Sequence, residues 1–199
     1  MSRKSAKVAG LILAAGPSSR LGHPKQLVTL SDGRTLLQKT IDEFRNSNLE
    51  GVLTVLGANQ EKILKHSEEF LGQFIANPNW KLGMESSLNA GVSHLIENHP
   101  SLQGILIGVC DQPFLSKEHL NLLLAEFATN TIQIVASRYA GTVGVPAVFS
   151  SDLFDELIAV DNSKGARVLL QKYRTQVLGI DFEKGEIDID KSEDLYHLK

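Results

Sequence analysis

The sequence predicts an α/β fold, a Rossmann-like, mostly parallel sheet with helices on both faces. Three short and continuous apolar runs are typical of strands that are buried on both faces: residues 8–15, 52–56 and 104–110. Segments with apolar residues at helical spacing lie between these runs. Turn-forming Gly, Asn, Asp or Pro residues follow each run, and this alternation of strand, turn and helix builds mostly parallel sheets.

The composition is that of an ordinary globular protein. Of the 199 residues, 42% are hydrophobic and 22% are charged, and no low-complexity tract is present. This length is sufficient for a sizeable core, and we expect a single domain that spans residues 1–199.

Charge and cysteine content exclude several classes of partner and site. The 20 Lys and Arg residues against 23 Asp and Glu residues give a formal charge of −3, and no basic stripe is interleaved with aromatics, so nucleic acid is not an expected partner. The single cysteine, Cys110, excludes an intrachain disulfide framework and a Cys-rich metal site, which favours a reducing, cytoplasmic location. The apolar run after the basic residues 1–7 is too short to span a bilayer, so no membrane partner is expected.

The strand at residues 8–15 is expected at the centre of the sheet, and an amphipathic segment after it predicts a helix of about three turns. The core face of this helix consists of Leu36, Leu37, Thr40, Ile41 and Phe44. A strand at 52–56 follows, and Asn59 is expected to cap a helix over residues 60–70. A brief strand is predicted at 74–76.

In the middle of the chain, residues 83–87 introduce a helix with apolar positions at i, i+4, i+7 and i+8, namely Leu88, Val92, Leu95 and Ile96. The strand at 104–110 ends in Asp111-Gln112-Pro113, and Ser116 is expected to cap the next helix. The core face of that helix is formed by Leu120, Leu123, Leu124 and Phe127.

Two further strands, at residues 132–137 and 145–149, are expected to form a hairpin-like insertion. Pro146 predicts that the second of them is an edge strand or is bulged. The remaining predicted elements are short helices at 152–158 and 164–173, strands at 176–180 and 186–189, and a closing helix from Ser192.

Sheets of this kind bind ligands beyond the carboxyl ends of their strands, so the loops of interest are residues 16–25 and 111–113. The first loop is not a Walker loop, because five residues separate Gly16 from Gly22 and Lys25 comes three residues later. It also lacks the Gly-x-Gly-x-x-Gly fingerprint of dinucleotide-binding proteins.

The first loop nevertheless carries the groups that a triphosphate needs. Glycines let backbone amides approach phosphates, serines add hydroxyl donors, and cations neutralise charge: Gly16, Ser18, Ser19, Arg20, Gly22 and Lys25. A surface turn with two solvated cations explains the same residues. We expect both loop cations to be exposed, so Arg20→Ala and Lys25→Ala should weaken triphosphate use with little loss of stability.

The loop also carries a resemblance to a known family. The run Leu13-Ala14-Ala15-Gly16-Pro17-Ser18-Ser19-Arg20-Leu21-Gly22, with Lys25 three residues later, resembles the pattern Leu-Ala-Ala-Gly-x-Ser-x-Arg-Met-Gly-x-x-Lys of molybdenum cofactor cytidylyltransferases, which are MobA-like nucleotidyltransferases. Leu21 replaces the family's Met, a conservative change.

Segments along most of the chain extend the resemblance. They are Asn79-Trp80 with Gly83-Met84, Ser86-Ser87-Leu88 and Gly91; Asp111-Gln112-Pro113; Gly144 and Pro146 with Phe149; Gly165-Ala166-Arg167 with Leu169-Leu170; and Asp188-Ile189-Asp190 with Glu193-Asp194-Leu195. In the last segment, Lys191 and Ser192 replace the family's Thr-Pro.

The resemblance implies a nucleotide-diphospho-sugar-transferase-like fold and transfer of CMP from CTP to the phosphate of a molybdopterin-type molybdenum cofactor, with release of pyrophosphate. It implies Mg²⁺ at Asp111 and Asp190, with Asp188 as the other candidate for the second ligand, and catalytic roles for Arg20, Lys25 and Asp111. A recipient molybdoenzyme is a further implied partner. The implied nucleotide-binding residues are Leu13, Ala14, Ala15, Gly16, Ser18, Ser19, Gly22, Gly83, Ser86 and Ser87.

Each of these residues also has a structural interpretation. Asp111 could cap a helix or form a turn before Pro113, and Asp190 could belong to a solvated acidic turn. Ser86 and Ser87 could cap the helix that carries Leu88, and Trp80 could cover the core.

Two other functions fit the same residues. One is a nucleotidyltransferase that acts on a sugar phosphate or another small phosphate, because the triphosphate loop does not reveal the acceptor. The other is a non-catalytic chaperone of the molybdenum cofactor. The choice of CTP depends on Ala14-Ala15-Gly16, where guanylyl-transferring relatives tend to carry Leu-Ala-Gly-Gly.

Overall fold

The computed structural model of the chain describes residues 6–67, 72–160 and 165–198. The strands are β1 (Val8–Ala14), β2 (Val52–Leu56), β3 (Phe74–Ala76), β4 (Gly104–Val109), β5 (Ile134–Tyr139), β6 (Thr142–Ser150) and β7 (Val177–Asp181). They form one seven-stranded sheet in the order β3-β2-β1-β4-β6-β5-β7.

Six α-helices lie within the described ranges: α1 (Leu36–Arg45), α2 (Gln60–Ser67), α3 (Met84–Asn98), α4 (Lys117–Thr129), α5 (Phe154–Ile158) and α6 (Arg167–Lys172). Short 3₁₀ helices add Lys25–Leu27, Trp80–Leu82, Ser151–Leu153 and Ser192–Leu198. The predicted helix at residues 60–70 begins as expected and is described as far as Ser67, since residues 68–71 lie outside the described ranges, as does Lys164 in the prediction for residues 164–173.

The sheet is mostly parallel, as predicted. β1 pairs in parallel with β2 and β4, β2 with β3, and β5 with β7, whereas β6 runs antiparallel to its neighbours β4 and β5. β1 therefore lies inside the sheet, next to the middle strand β4.

Helices cover both faces of the sheet, which explains the continuous apolar run of β1. Ala9, Leu11 and Leu13 belong to a core that includes residues of α3, α5 and α6. Val8, Ile12 and Ala14 alternate with them and belong to a second core that includes residues of α1, α2 and α4. A strand between two apolar layers has no polar face.

The predicted capping residues lie at the helix ends. The hydroxyl of Ser116 accepts a hydrogen bond from the backbone N–H of His119 at 3.3 Å, so the predicted cap of α4 is confirmed. Asn59 directly precedes α2 with a φ of 59°, a left-handed conformation that Asn tolerates better than most residues. Its carbonyl accepts the first bond of the helix, from the N–H of Ile63 at 2.9 Å.

Two predictions in the second half of the chain need correction, and the structure decides between the two alternatives of a third. Residues 186–189 do not form a strand. Pro146 predicted either an edge strand or a bulged one, and β6 is the second, because it lies inside the sheet and carries a bulge. The predicted bulge is present, because the register shifts from Ala136 opposite Ala147 to Ser137 opposite Gly144, which leaves Pro146 out of the ladder. The closing helix from Ser192 is a 3₁₀ helix.

None of the helices in the described part of the chain is both long enough and apolar enough to cross a membrane.

Candidate active site

Two neighbouring parallel strands end at the candidate site. β1 and β4 pair with Leu13 opposite Val109, so the residues that follow the two strands emerge at the same edge of the sheet. This arrangement brings Lys25 next to Asp111, although 86 positions separate them in the sequence.

The loop after β1 is held in shape by its own side chains. Ser18 adopts a left-handed backbone conformation with a φ of 56°, and its hydroxyl accepts a hydrogen bond from the N–H of Lys25 at 3.0 Å. The carbonyl of Ser18 accepts bonds from the N–H groups of Leu21 and Gly22. The hydroxyl of Ser18, which was predicted to bind phosphate, therefore joins the two ends of the loop and fixes the backbone around Arg20. Ser19 is exposed.

Gln26 is a buried loop residue that the sequence motifs did not reveal. It is 1% exposed, and its side-chain amide donates to the carbonyl of Ala14 at 2.7 Å and to that of Gly16 at 3.2 Å. These two bonds tie the far end of the loop to the end of β1. Its position directly after Lys25 was the available signal.

A network of ion pairs joins the loop to two distant carboxylates. The Lys25 ammonium donates to Asp111 Oδ2 at 2.6 Å and to Asp190 Oδ1 at 2.6 Å. The Arg20 guanidinium donates to Asp190 Oδ2 at 2.6 Å. The side chain of Arg20 is 65% exposed but that of Lys25 only 14%, so the expectation that both loop cations are exposed is wrong for Lys25.

The charged groups in this network shift one another's pKa values. Burial alone would lower the pKa of Lys25, but the attraction of Asp111 and the hydrogen bonds to Asp111 and Asp190 raise it well above its usual range. Burial would raise the pKa of Asp190, yet the bond and charge of Lys25 lower it. Burial, together with the charges of Asp111 and Asp190, raises the pKa of Asp188 to about 7.

The segment that carries Asp188 and Asp190 is attached to the end of β4 without forming a strand. The N–H of Ile189 donates to the carbonyl of Asp111 at 2.9 Å, and the Ile189 side chain is fully buried beside Leu21. The carboxylate of Asp194 then accepts from the N–H groups of Asp190 and Lys191 at 2.8 and 2.7 Å, which turns the chain. Ile189 therefore anchors the segment, and its neighbours Asp188 and Asp190 supply the two carboxylates. The predicted strand is not formed.

These groups line a cavity of about 610 Å³. The predicted site residues in its wall are Leu13, Arg20, Lys25, Asp111, Asp188 and Asp190. The wall also contains polar residues for which no role was predicted: Gln112, Arg167 and Gln171. Arg167 belongs to the Gly-Ala-Arg segment of the family pattern, and this motif was its signal.

The predicted nucleotide-binding residues near α3 are tied to one another. Ser87 is buried, and its hydroxyl accepts from the side-chain amide of Asn77 at 2.9 Å. The Ser86 hydroxyl accepts from the same amide and donates to the carbonyls of Asn79 and Gly83. Gly83, Ser86 and Ser87 do not line the cavity, but Met84 between them does. Trp80 is half-buried against the core, as its structural interpretation predicts.

The carboxylates suit a divalent metal ion. Asp111 Oδ1 is buried and has no hydrogen-bond partner in the described part of the chain, and a hard cation would satisfy it. Within the described ranges, no group of three or more His, Cys, Asp and Glu side chains is arranged to hold a metal ion by itself. Asp111 and Asp190 could therefore hold Mg²⁺ together with phosphate oxygens and water, which is how Mg²⁺ commonly binds.

Comparison with known proteins identifies the family. Residues 10–177 match the family described as the MobA-like NTP transferase domain. Two curated relatives are nicotine blue oxidoreductase from Paenarthrobacter nicotinovorans, 28% identical over 96% of this chain and 96% of the relative, and the purine catabolism protein PucB from Bacillus subtilis (strain 168), 30% identical over 84% of this chain and 82% of the relative.

A solved structure shares the fold over almost its whole length. Rv0371c from Mycobacterium tuberculosis H37Rv superposes with a TM-score of 0.80 at 28% identity and covers 97% of both chains. A second structure of Rv0371c is a complex with manganese, with a TM-score of 0.80 at 25% identity, and it covers 97% of this chain and 98% of that chain. These matches confirm the nucleotide-diphospho-sugar-transferase-like fold, and the family match confirms the resemblance seen in the motifs. The chain therefore belongs to the MobA-like NTP transferase family and is a nucleotidyltransferase.

Proposed function

We propose that the chain is a Mg²⁺-dependent cytidylyltransferase that transfers CMP from CTP to the phosphate of a molybdopterin-type cofactor and releases pyrophosphate. The observation that carries the proposal is the convergence of two loop cations, Arg20 and Lys25, with the carboxylates of Asp111 and Asp190 in one cavity. Phosphate binding uses the cations and metal binding uses the carboxylates. The family's motifs support the choice of acceptor.

The proposed chemistry depends on charge and position. The acceptor is an already ionised phosphate, so its oxygen attacks the α-phosphorus without a general base, and the bond from the α-phosphorus to the bridging oxygen of pyrophosphate breaks. Arg20 and Lys25 offset the charge that develops on the leaving pyrophosphate. A Mg²⁺ ion held by Asp111 and Asp190 would supply Lewis-acid stabilisation of phosphate oxygens.

Lys25 has different partners in the two states of the proposed cycle. In the structure its ammonium pairs with both Asp111 and Asp190. With Mg²⁺ on those carboxylates, the ammonium is free to turn to the β- and γ-phosphates, which carry the negative charge that it then needs. Binding of the metal and of the triphosphate therefore support each other.

The choice of cytosine rests on Ala15, which occupies the position of the second residue in the Ala-Ala-Gly part of the loop. Ala15 is buried at the end of β1, and its carbonyl accepts from the N–H of Ala58 at 3.0 Å. Ala15 belongs to the core and does not line the cavity, so the choice of CTP rests on the family pattern of this loop.

Incubation with each of the four ribonucleoside triphosphates, Mg²⁺ and the molybdenum cofactor tests the proposal. Pyrophosphate release is expected to be fastest with CTP, and equal or faster turnover with GTP or UTP would contradict the base assignment. Asp111→Asn should slow release about a hundredfold or more. Asp181→Asn is the matched control, because the Asp181 side chain is 86% exposed and does not line the cavity. Release that is absent in the wild type, with cofactor binding indifferent to Asp111→Asn, would instead indicate a chaperone.

A further inference from the structure

We infer that Arg167, assisted by Gln171, forms the subsite that binds the phosphate of the acceptor. The inference rests on the proposed function, because it concerns the second substrate of the same reaction. It assigns a role to residues of the cavity wall for which the motifs predicted none.

Arg167 and Gln171 are presented by a helix whose position is fixed by core packing. They lie four residues apart on α6, hence on one side of the helix, and both line the cavity. Leu169 and Leu170, each 2% exposed, anchor α6 in the core. A rigid element therefore holds one guanidinium and one carboxamide at the cavity wall.

Of the three cationic side chains in the cavity wall, only that of Arg167 forms no ion pair within the described part of the chain. Arg20 and Lys25 are both paired with Asp190, and Lys25 also with Asp111. Arg167 makes no hydrogen bond or ion pair with any other residue in the described part of the chain, although it lies close enough to Asp188 to interact with it electrostatically. A guanidinium that contributes no internal contact is available to a ligand.

The geometry of phosphoryl-type transfer assigns the ligand. The attacking and leaving oxygens lie roughly in line on opposite sides of the reacting phosphorus. If Arg20 and Lys25 hold the leaving pyrophosphate, the attacking phosphate must arrive from the other side of the reacting phosphorus. α6 lies away from the triphosphate loop, because it contacts β6, and β4 separates β6 from β1, the strand that the loop follows. A planar guanidinium binds a phosphate through two parallel hydrogen bonds, and the Gln171 amide can donate a third.

Steady-state kinetics with separately varied substrates test this assignment. In Arg167→Gln, we expect the KM for the acceptor to rise about tenfold to a hundredfold while the KM for CTP stays within about twofold. Arg20→Gln should show the reverse. Arg174→Gln is the matched control, since Arg174 is also exposed, lies two residues beyond the end of α6 and does not line the cavity. Arg167→Lys should recover part of the acceptor affinity, because it restores the charge without the planar fork.

A binding measurement separates this inference from the proposed function. Calorimetric titration of inorganic phosphate into the protein loaded with Mg²⁺ and an α,β-methylene analogue of CTP needs no turnover and no particular acceptor. Phosphate should bind to the wild type and to Arg174→Gln, and at least tenfold more weakly to Arg167→Gln. If the wild type releases no pyrophosphate from any triphosphate and acceptor, the proposed function fails, and the phosphate titration alone decides the inference. Equal phosphate affinity in wild type and Arg167→Gln, or a CTP defect as large as that of Arg20→Gln, would overturn it.

Discussion

A single ammonium group, that of Lys25, lies between two carboxylates that would otherwise repel each other across the cavity. Its side chain is only 14% exposed, and its bonds to Asp111 and Asp190 are both 2.6 Å long. When one partner of a buried ion pair is removed, the other charge stays in a region with little water and has no compensating charge. The resulting loss of stability is larger than the net stabilisation that the pair contributes. Lys25 therefore stabilises the free protein as well as serving the proposed reaction.

Replacing Lys25 with Met keeps the apolar stem and removes the charge. We expect Lys25→Met to lower the free energy of unfolding by about 2 kcal/mol at neutral pH, measured by urea denaturation. Because Lys25 lowers the pKa of Asp190, the stability that this pair contributes is present above the ordinary Asp value of 3.8, and the difference from the wild type should shrink as the pH falls below it. A variant as stable as the wild type at neutral pH would show that Lys25 does not hold the carboxylates together.

The same variant should also report on the metal. Without the ammonium, Asp111 and Asp190 are free to accept a divalent cation in the absence of nucleotide, so Mn²⁺ should bind Lys25→Met more tightly than the wild type in a titration followed by electron paramagnetic resonance. Added Mn²⁺ should also raise the melting temperature of the variant more than that of the wild type. Unchanged Mn²⁺ affinity would place the metal elsewhere.

Residue types and spacing predicted the charged members of the site but not their partners. Arg20, Lys25 and Asp111 were identifiable because each stands in a short motif beside a strand end. The roles of Gln26 and Arg167 were not identifiable, because they depend on the surroundings of each side chain in three dimensions: the buried carbonyls around the Gln26 amide, and the lack of an ion-pair partner for Arg167 among the described residues.

At the scale of elements, the loop after β1 depends on one buried amide. In Gln26→Ala the carbonyls of Ala14 and Gly16 lose their side-chain donor, and an unpaired buried acceptor costs about 1–3 kcal/mol. We expect a loss of stability in this range and a higher KM for CTP, because Lys25 adjoins the released segment. Gln38→Ala, on the half-buried side of α1, serves as a control for the loss of one Gln side chain. A normal KM for CTP in Gln26→Ala would mean that the loop holds its shape without this residue.

The hairpin of β5 and β6 is joined to α4 by a buried histidine. His119 Nε2 lies 2.8 Å from the hydroxyl of Ser137, which donates to the carbonyl of Pro146 at 2.7 Å, so the imidazole must be the donor in the first contact. The ring stacks on Phe182 with a centroid distance of 4.4 Å. Burial lowers the pKa of His119 to about 4, so the folded protein keeps this imidazole neutral.

This histidine makes stability depend on pH. Between pH 6.5 and 4 the unfolded imidazole takes up a proton that the folded one does not, so the contribution of His119 to stability falls by about 1.4 kcal/mol per pH unit as the pH is lowered. Asp188, with a pKa of about 7, takes up its proton in the folded protein and opposes this fall. His119→Gln keeps an N–H donor but does not titrate, so in denaturant unfolding between pH 7 and 4.5 its free energy of unfolding should lack the contribution of His119 and fall less, or rise, as the pH is lowered. Equal slopes in the two proteins would assign the dependence to the carboxylates.

The spacing of apolar residues predicted helices and strands well where they pack on the sheet. It predicted poorly where a single contact determines the conformation of a segment. β1, α1 and α4 follow from apolar spacing, since burial on the sheet selects that spacing. Residues 186–189 alternate in polarity like a strand but form none, because the buried Ile189 and its one backbone bond to Asp111 satisfy the segment without a partner strand. Pro146 predicted an edge strand or a bulged one, and the structure has the bulge, where the missing N–H of proline is not needed for a ladder hydrogen bond.

At the scale of the whole molecule, the site joins the two ends of the chain across the sheet. Lys25 and Asp190 are 165 positions apart, and the adjacency of β1 and β4 places both beside Asp111. Neither end holds a complete set of charges alone. The proposed metal site should therefore form only after β4 has paired and the C-terminal segment has docked.

The anchor of that docked segment, Ile189, allows the dependence to be measured. Ile189→Ala removes a fully buried side chain at a cost of about 2–5 kcal/mol, and it should weaken Mn²⁺ binding at least tenfold because Asp190 is no longer held against Lys25 and Asp111. Ile63→Ala is the matched control: Ile63 is also fully buried, but it lies on α2 in the core away from the cavity. Both variants are compared at a temperature where circular dichroism shows them folded. Similar losses of stability with a metal defect confined to Ile189→Ala would show that the apolar anchor positions the carboxylate, whereas equal Mn²⁺ affinity in the two variants would show that Asp190 reaches the site without it.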